Sequence, residues 1–161
     1  MIAFVTVFTF CNMNIKRYGH ASTVLKDALF ITGGRDSGNN VLASTEFVYS
    51  NGTVEVGIDM PLARYGHCMV TLHDGKVMIL GAEKSIRRNT LIYDPANNSY
   101  TNGPSLSYDR RHAACTVFNS PMHNDRPVIL AAGGTGETSA ELYDYTNANQ
   151  WQTSKYTSQY F

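Results

Sequence analysis

Short apolar runs of four to seven residues alternate along the chain with clusters of Gly, Asn, Asp or Pro. The runs are rich in β-branched and aromatic residues, which is typical of strands bounded by turns. Pairs such as Asn51-Gly52 and Asp74-Gly75 tolerate the positive φ that tight hairpin turns require. No segment keeps a sustained helical periodicity. The pattern therefore predicts an all-β chain in which helices are nearly absent.

The apolar runs belong to a longer internal repeat. The Arg-Tyr-Gly-His sequence that begins at Arg17 recurs at Arg64, 47 positions later, and Asp109–His112 is a looser third copy. Each copy precedes an apolar run, a strand end that contains glycine, a segment that contains tyrosine, and a later aromatic or apolar residue. Four short antiparallel strands in about 45–50 residues are typical of one blade of a propeller. The residues that we assign to this structural motif are His20, Gly33, Gly34, Tyr49, His67, Gly81, Tyr93, His112, Gly133, Gly134, Tyr143 and Trp151.

The combined motif resembles the kelch-repeat family. Its elements are the Arg-x-x-His opening, the double glycine after an apolar strand, and a later Tyr-Asp followed by Trp, which repeat three keeps as Tyr143-Asp144 with Trp151. Repeat two departs from the pattern with Gly81-Ala82. The resemblance implies kelch-type β-propeller blades, each a four-stranded antiparallel sheet. It also implies that His20, His67 and His112 brace the start of a blade and that Tyr49, Tyr93, Tyr143 and Trp151 pack between blades.

The repeat boundaries give about three blades. We predict an N-terminal apolar strand of a preceding blade at 1–15, repeats at 16–62, 63–108 and 109–154, and a C-terminal tail at 155–161. Repeat three carries an insertion at Asn119–Arg126. Closed propellers have about four to eight blades, so three explanations stay open. The chain is a fragment or a truncated gene product, or two copies form a six-bladed ring, or three blades form an open stack.

Charge and hydropathy exclude two classes of partner. Thirteen basic residues balance thirteen acidic ones, whereas a protein that binds a phosphate backbone needs a basic stripe. No apolar run approaches the roughly 20 residues that span a bilayer. We therefore expect neither a nucleic-acid nor a membrane partner.

Three cysteines without a Cys-x-x-Cys pair argue against a disulfide scaffold and a zinc–thiolate cluster. Cys68 and Cys115 are interpreted as small buried hydrophobic residues. Unpaired cysteines favour a cytoplasmic location. Secretion is the alternative, because Asn51-Gly52-Thr53 and Asn97-Asn98-Ser99 match the glycosylation pattern.

The sequence offers no catalytic, metal or cofactor motif. Equivalent histidines on different blades lie too far apart to share a metal, and Gly133–Thr138 lacks the lysine of a phosphate loop. One alternative is a fragment of a copper enzyme that resembles galactose oxidase, which binds copper through tyrosines and histidines. Another is a truncated, non-functional kelch copy. We expect no enzyme activity and no cofactor.

The kelch resemblance instead implies a module that binds a partner protein or peptide. In that family the loops between blades and those between the second and third strands line one rim. Arginine recognises carboxylates through bidentate contacts, so basic residues in these loops favour an acidic partner. Three of the arginines, Arg17, Arg64 and Arg110, recur in the repeat, and bracing of the blade is the alternative for them. The matching residues are Arg17, Tyr18, Arg64, Tyr65 and Arg110 between blades, and Arg35, Asp36, Asn39, Arg87, Arg88 and Glu137 after the second strand.

Overall fold

The computed structural model describes residues 12–83, 86–147 and 150–153. Within them, twelve strands form three antiparallel sheets, each made of four consecutive strands. Blade 1 contains β1 (Ala21–Leu25), β2 (Ala28–Thr32), β3 (Thr45–Tyr49) and β4 (Val54–Val56). Blade 2 contains β5 (Cys68–Thr71), β6 (Val77–Leu80), β7 (Thr90–Asp94) and β8 (Ser99–Asn102). Blade 3 contains β9 (Ala114–Ser120), β10 (Arg126–Ala132), β11 (Ala140–Tyr143) and β12 (Gln152–Thr153).

The predicted fold class is confirmed: the described chain is all-β, and its three sheets are three propeller blades. No α-helix occurs in residues 12–83, 86–147 or 150–153. The insertion in repeat three lengthens the β9–β10 hairpin and adds a 3-10 turn at Pro121–His123. Most of the predicted N-terminal strand and all of the predicted tail lie outside the described residues. The repeat boundaries remain predictions.

The core lies between successive blades. Strand β6 is buried along its whole length, because blade 2 is packed on both faces. Between blades 1 and 2, the ring of Tyr93 lies 4.9 Å from that of Phe30. In the cluster between blades 2 and 3, the rings of Tyr143 and Trp151, both of blade 3, lie 5.3 Å apart. Both clusters exclude water from apolar and aromatic side chains, which is the main favourable contribution to folding.

Two outer-strand aromatics also form hydrogen bonds across the blade interfaces. The indole Nε1 of Trp151 donates to the carbonyl of Pro104 at 3.0 Å. The hydroxyl of Tyr100 donates in the same way to the carbonyl of Ile58 at 3.5 Å. Tyr93 belongs to the cluster between blades 1 and 2, and Tyr143 and Trp151 belong to the cluster between blades 2 and 3.

Tyr49 does not occupy the strand position of Tyr93, and its packing between blades stays a prediction. The strand register pairs Val48 with Leu29, as it pairs Tyr93 with Val77, so Val48 is the residue of blade 1 that corresponds to Tyr93. Tyr49 is shifted by one residue and belongs to the opposite face of its strand. It is half-buried, and its hydroxyl donates to Glu55 at 2.9 Å.

The first glycine of each pair allows the next blade to approach. Gly33 (φ +59°) and Gly81 (φ +64°) both adopt the left-handed region. A Cβ at Gly33 would collide with the carbonyl oxygen of Arg64, and one at Gly81 would collide with that of Arg110. The second position has no such requirement in blade 2, where Ala82 is fully buried. This explains why the departure at Ala82 leaves the blade intact.

The interpretation of Cys68 and Cys115 as small buried hydrophobic residues is wrong, because a disulfide joins them. Their Cα atoms lie 6.2 Å apart on β5 and β9, in neighbouring blades. No local signal in the sequence indicates this pairing, because the two cysteines are separated by 47 positions. The argument from unpaired cysteines for a cytoplasmic location therefore no longer holds for this pair.

Candidate functional site

The opening arginines of the three blades are buried. Arg64 and Arg110 are fully inaccessible to solvent, and Arg17 is 8% exposed. In blade 1 the guanidinium of Arg17 donates to Glu46 Oε1 at 2.5 Å and to the carbonyl of Gly33 at 2.7 Å. It thus connects the end of β2 to the start of β3.

Blade 3 repeats this arrangement. Arg110 donates to Glu141 Oε1 at 3.0 Å and to the carbonyls of Gly133 and Ser139, both at 2.7 Å. The glutamate also accepts the backbone N–H of Ser107 at 2.6 Å, as Glu46 accepts that of Asn14 at 2.7 Å. Each carboxylate therefore anchors the segment that leads into its own blade.

Blade 2 lacks the carboxylate. Leu91 pairs with Ile79 as Glu46 pairs with Ile31, so Leu91 occupies the position of the glutamate. Arg64 donates instead to the carbonyls of Gly81 and Asn89, at 3.0 and 3.2 Å, and to the side-chain oxygen of Asn89. Burial lowers the pKa of Arg64 to about 10, so the group stays charged at neutral pH. The surroundings of Arg17, Arg64 and Arg110 favour the bracing alternative over partner contact.

The histidines differ in their positions. His67 is buried beside Arg64, and its Nε2 lies 2.8 Å from Thr32 Oγ1. Burial, together with the charge of Arg64, lowers the pKa of His67 to about 3. Burial also lowers the pKa of its counterpart His20, with a further contribution from Arg17. Among the described residues, no group of three or more His, Cys, Asp or Glu is arranged to bind a metal ion.

His112 does not occupy the position expected for it. Its N–H donates to the carbonyl of Gly66 at 2.7 Å, as the N–H of Gly66 donates to that of Gly19 at 3.1 Å. All three adopt positive φ, so His112 corresponds to these glycines and not to His20 and His67. The looser third copy of the motif is offset by one residue.

A row of aromatic and basic side chains lies on the rim beside this backbone ladder. Tyr18 is half exposed, and its hydroxyl donates to Asn39 Oδ1 at 2.6 Å. Its ring meets that of Tyr65 edge-on at 5.9 Å. The guanidinium of Arg35 lies 4.5 Å from the centre of the Tyr65 ring. These predicted loop residues therefore do come together on one rim.

Glu83 connects the two blade boundaries on this rim. One of its oxygens accepts from Arg35 at 2.7 Å, and the other from Arg111 at 2.8 Å. Sequence reasoning missed both Glu83 and Arg111. The available signal was the repeat itself, since Glu83 follows Gly81-Ala82 as Arg35 follows Gly33-Gly34.

A second carboxylate on the rim is shared in the same way. Asp109 accepts from Arg87 at 3.2 Å and from Arg88 at 2.8 Å. The hydrogen bond from Arg88 and then that from Arg87 lower the pKa of Asp109. Half or more of each of these two arginine side chains is exposed. We define the rim cluster as these two carboxylates and the four arginines that share them: Arg35, Glu83, Arg87, Arg88, Asp109 and Arg111.

The remaining predicted residues stabilise their own loops. Asp36 accepts the backbone N–H of Asn40 at 2.9 Å and its side-chain amide at 3.0 Å, and these bonds lower the pKa of Asp36. Glu137 accepts the N–H of Ser139 at 2.8 Å, which lowers the pKa of its carboxyl group. Asn39 has φ +67° in the loop of Asp36. Contact of these residues with a partner stays a prediction.

Comparison with known proteins finds two similar invertebrate proteins. No protein-family model matches the chain. Beta-scruin of Limulus polyphemus is 26% identical over 147 residues, which cover 83% of this chain and 16% of beta-scruin. Alpha-scruin of the same organism is 27% identical over 123 residues, which cover 69% of this chain and 13% of alpha-scruin. The chain thus spans only a small part of the length of these relatives. Separately, no helix in the described part of the chain is long and apolar enough to cross a membrane.

Proposed function

We propose that the chain is a kelch-type propeller segment that acts as a non-enzymatic protein-interaction module and binds an acidic segment of its partner through the rim cluster. The sharing of two carboxylates by four arginines on one rim carries the proposal. The kelch assignment is supported by the three blades, the repeated motif and the similarity to the scruins.

The charge of the rim cluster favours an acidic partner. Four arginines and two carboxylates give a local excess of two positive charges, whereas the whole chain is formally neutral. A guanidinium has five N–H donors, and one carboxylate cannot use all the donors of two arginines. Exposed ion pairs contribute only about 0–1 kcal/mol each. Arg87 and Arg88 can therefore replace their ion pairs with Asp109 by pairs with an incoming carboxylate, or bind both carboxylates, at a small cost in free energy.

The aromatic row extends this surface. Tyr18 is half exposed and Tyr65 partly so, and tyrosine and arginine are the residue types that contribute most often to protein interfaces. The proposed interface therefore combines a charged part at blades 2 and 3 with an aromatic part at blades 1 and 2.

The binding test compares two double variants with the unchanged protein. The probe is a fluorescein-labelled decaglutamate peptide, followed by anisotropy at low salt. Arg87→Ala/Arg88→Ala should weaken binding at least tenfold, because charge-assisted hydrogen bonds are lost. The free energy of unfolding should change by less than about 0.5 kcal/mol, as for ordinary surface changes.

The control, Lys26→Ala/Lys76→Ala, removes the same charge from the β1–β2 and β5–β6 turns, at the opposite ends of the blades. It should bind decaglutamate like the unchanged protein. Equal binding by the rim variant and this control would contradict the proposal. A large loss of stability in the rim variant with unchanged binding would assign both arginines to the scaffold.

Self-association and location are further parts of the proposal. Two copies of the chain forming a six-bladed ring would give twice the 17.8 kDa chain mass by light scattering across a concentration series. A monomer at all concentrations would contradict the ring. We also propose a cytoplasmic location and no nucleic-acid or membrane partner, which fractionation of cells that express the tagged chain would test.

A further inference from the structure

The disulfide joins two neighbouring blades near the start of their first strands. Cys68 is the first residue of β5, and Cys115 is the second residue of β9. Strands β5 and β9 are the first strands of their blades and pack against each other. Both cysteines are partly exposed, so a small thiol reagent can reach them.

The corresponding positions at the other blade boundary are apolar. The registers place Ala21 at the position of Cys68 and Met69 at that of Cys115, and both are buried. There, Thr23 Oγ1 and Thr71 Oγ1 form a hydrogen bond of 3.0 Å between the first strands. A covalent connection is thus a property of the boundary between blades 2 and 3 and not of the repeat.

This boundary also divides the rim cluster. Glu83, Arg87 and Arg88 belong to the β6–β7 loop of blade 2, whereas Asp109 and Arg111 belong to the opening loop of blade 3. The ion pairs between them are exposed or partly exposed and hence weak. Cys115 follows Arg111 by four residues. The disulfide is the covalent restraint next to these contacts.

We propose that Cys68 and Cys115 form a reversible redox couple whose oxidised form fixes the opening loop of blade 3 against blade 2 and so maintains the rim cluster. Only the effect on binding rests on the proposed function. The effect on blade 3 itself does not.

The chemistry is thiol–disulfide exchange with a dithiol. A thiolate of the dithiol attacks one sulfur, the bond between Cys68 and Cys115 breaks, and a mixed disulfide forms. The second thiol of the reagent then displaces the protein sulfur. The dithiol becomes a cyclic disulfide, and the two cysteines together gain two electrons and two protons. A disulfide oxidant reverses the reaction.

Reduction should loosen blade 3. A disulfide that closes a loop of this length restrains the unfolded chain, so its loss should lower the melting temperature by about 10 °C. Amide exchange in β9 and in residues 109–113 should become at least tenfold faster, because the disulfide no longer limits how far β9 can separate from β5 in local opening. Decaglutamate should bind at least threefold more weakly, because Arg111 no longer stays beside the arginines of blade 2 and the positive charges of the rim cluster are no longer held together.

The first measurement establishes the couple. The full chain is treated with air or with dithiothreitol, labelled with a maleimide after unfolding, digested and analysed by mass spectrometry. The air-treated sample should yield a joined Cys68–Cys115 peptide, and the reduced sample should yield both cysteines labelled. Labelling of both cysteines in air-treated protein would overturn the proposal.

The second measurement compares amide exchange, melting temperature and decaglutamate binding with and without dithiothreitol. In all three measurements, Cys68→Ser/Cys115→Ser should give the values of the reduced protein, and dithiothreitol should not change them. Exchange in β9 that is the same in both redox states would overturn the proposal. Faster exchange in β9 without decaglutamate binding in either state would support the redox couple and contradict the proposed partner class.

Discussion

Blades 2 and 3 give their opening arginines different surroundings within the same backbone frame. In blade 3 the buried Arg110 meets the buried carboxylate of Glu141, whereas in blade 2 the buried Arg64 meets amide and carbonyl oxygens, and Leu91 replaces the glutamate. Both blades keep the contacts from the arginine to the carbonyl of the first glycine, Gly133 or Gly81, and to the carbonyl of the residue before the third strand, Ser139 or Asn89. The recurring function of the arginine is therefore to satisfy the backbone at the strand end. The ion pair is an addition.

The segment that leads into each blade differs together with the presence or absence of the glutamate. Glu141 accepts the N–H of Ser107, which lies three residues before Arg110. The corresponding residue before Arg64 is Pro61, which has no N–H to donate. Blade 2 thus lacks both the acceptor and the donor. A buried carboxylate there would lose one of the bonds that its counterpart has in blade 3.

The largest effect should come from making blade 3 resemble blade 2. Glu141→Leu leaves the guanidinium of Arg110 buried without its counter-charge, and breaking a buried pair in this way costs about 3–5 kcal/mol. Urea unfolding followed by tryptophan fluorescence measures the loss. Glu46→Leu should behave similarly in blade 1. A cost below about 1 kcal/mol in both variants would mean that the carbonyl acceptors alone support the charge.

The second effect is the pH dependence of stability that follows from burial of His67 beside Arg64 in the interface between blades 1 and 2. The native pKa of His67 is about 3, and that of an unfolded histidine is about 6.5. Below pH 6.5 the unfolded chain binds a proton that the native state does not. Stability from this group is therefore complete above pH 6.5 and falls toward pH 3 by about 1.4 kcal/mol per pH unit.

His67→Gln should strongly reduce the slope of urea unfolding between pH 6.5 and 5, and the lowered pKa of His20 accounts for the part that remains. Glutamine does not titrate and can still form a hydrogen bond with Thr32. His73→Gln, at an exposed turn, should keep the slope of the unchanged protein. A slope that His67→Gln leaves unchanged would mean that other groups cause the acid sensitivity.

The third effect separates the two arginines directly. Arg64→Met removes a desolvated charge that has no ionic partner, which is often tolerated, but it leaves the carbonyls of Gly81 and Asn89 without this donor, so it should cost about 1–3 kcal/mol. Arg110→Met leaves Glu141 buried and unpaired and should cost at least 2 kcal/mol more. Thermal or urea unfolding of the two variants side by side checks the difference. Equal costs would remove the distinction between the blades.

The smallest effect should come from making blade 2 resemble blade 3. Leu91→Glu alone places a carboxylate near Arg64 without the N–H that Pro61 cannot supply. Adding Pro61→Ser restores that donor, and the double variant should be more stable than Leu91→Glu by about 1 kcal/mol, the net value of one hydrogen bond. Pro61→Ser in the unchanged background is the control. No coupling between the two positions would contradict the proposed link.

The sequence predicted the blades because strand periodicity and turn residues act locally and recur. It identified Arg17, Arg64 and Arg110 as a set but left their role open, since burial depends on a neighbouring blade. The Cys68–Cys115 disulfide and the sharing of Glu83 by Arg35 and Arg111 were missed for the same reason. The repeat aligned Tyr49 with Tyr93 because a tyrosine matches the motif, whereas the register places Val48 at that position, and a shift of one residue changes the face of a strand.

The ladder from Gly19 to Gly66 to His112 separates what a blade must keep from what it can change. These hydrogen bonds run between blades and use only main-chain atoms, so they fix blade spacing near the first strands whatever happens further out. The longer β9–β10 hairpin with its 3-10 turn illustrates this freedom, since it extends at the far end of blade 3 while His112 keeps its bond to Gly66. The turns β1–β2, β5–β6 and β9–β10 could therefore be exchanged between blades by design, provided that the opening loops stay unchanged.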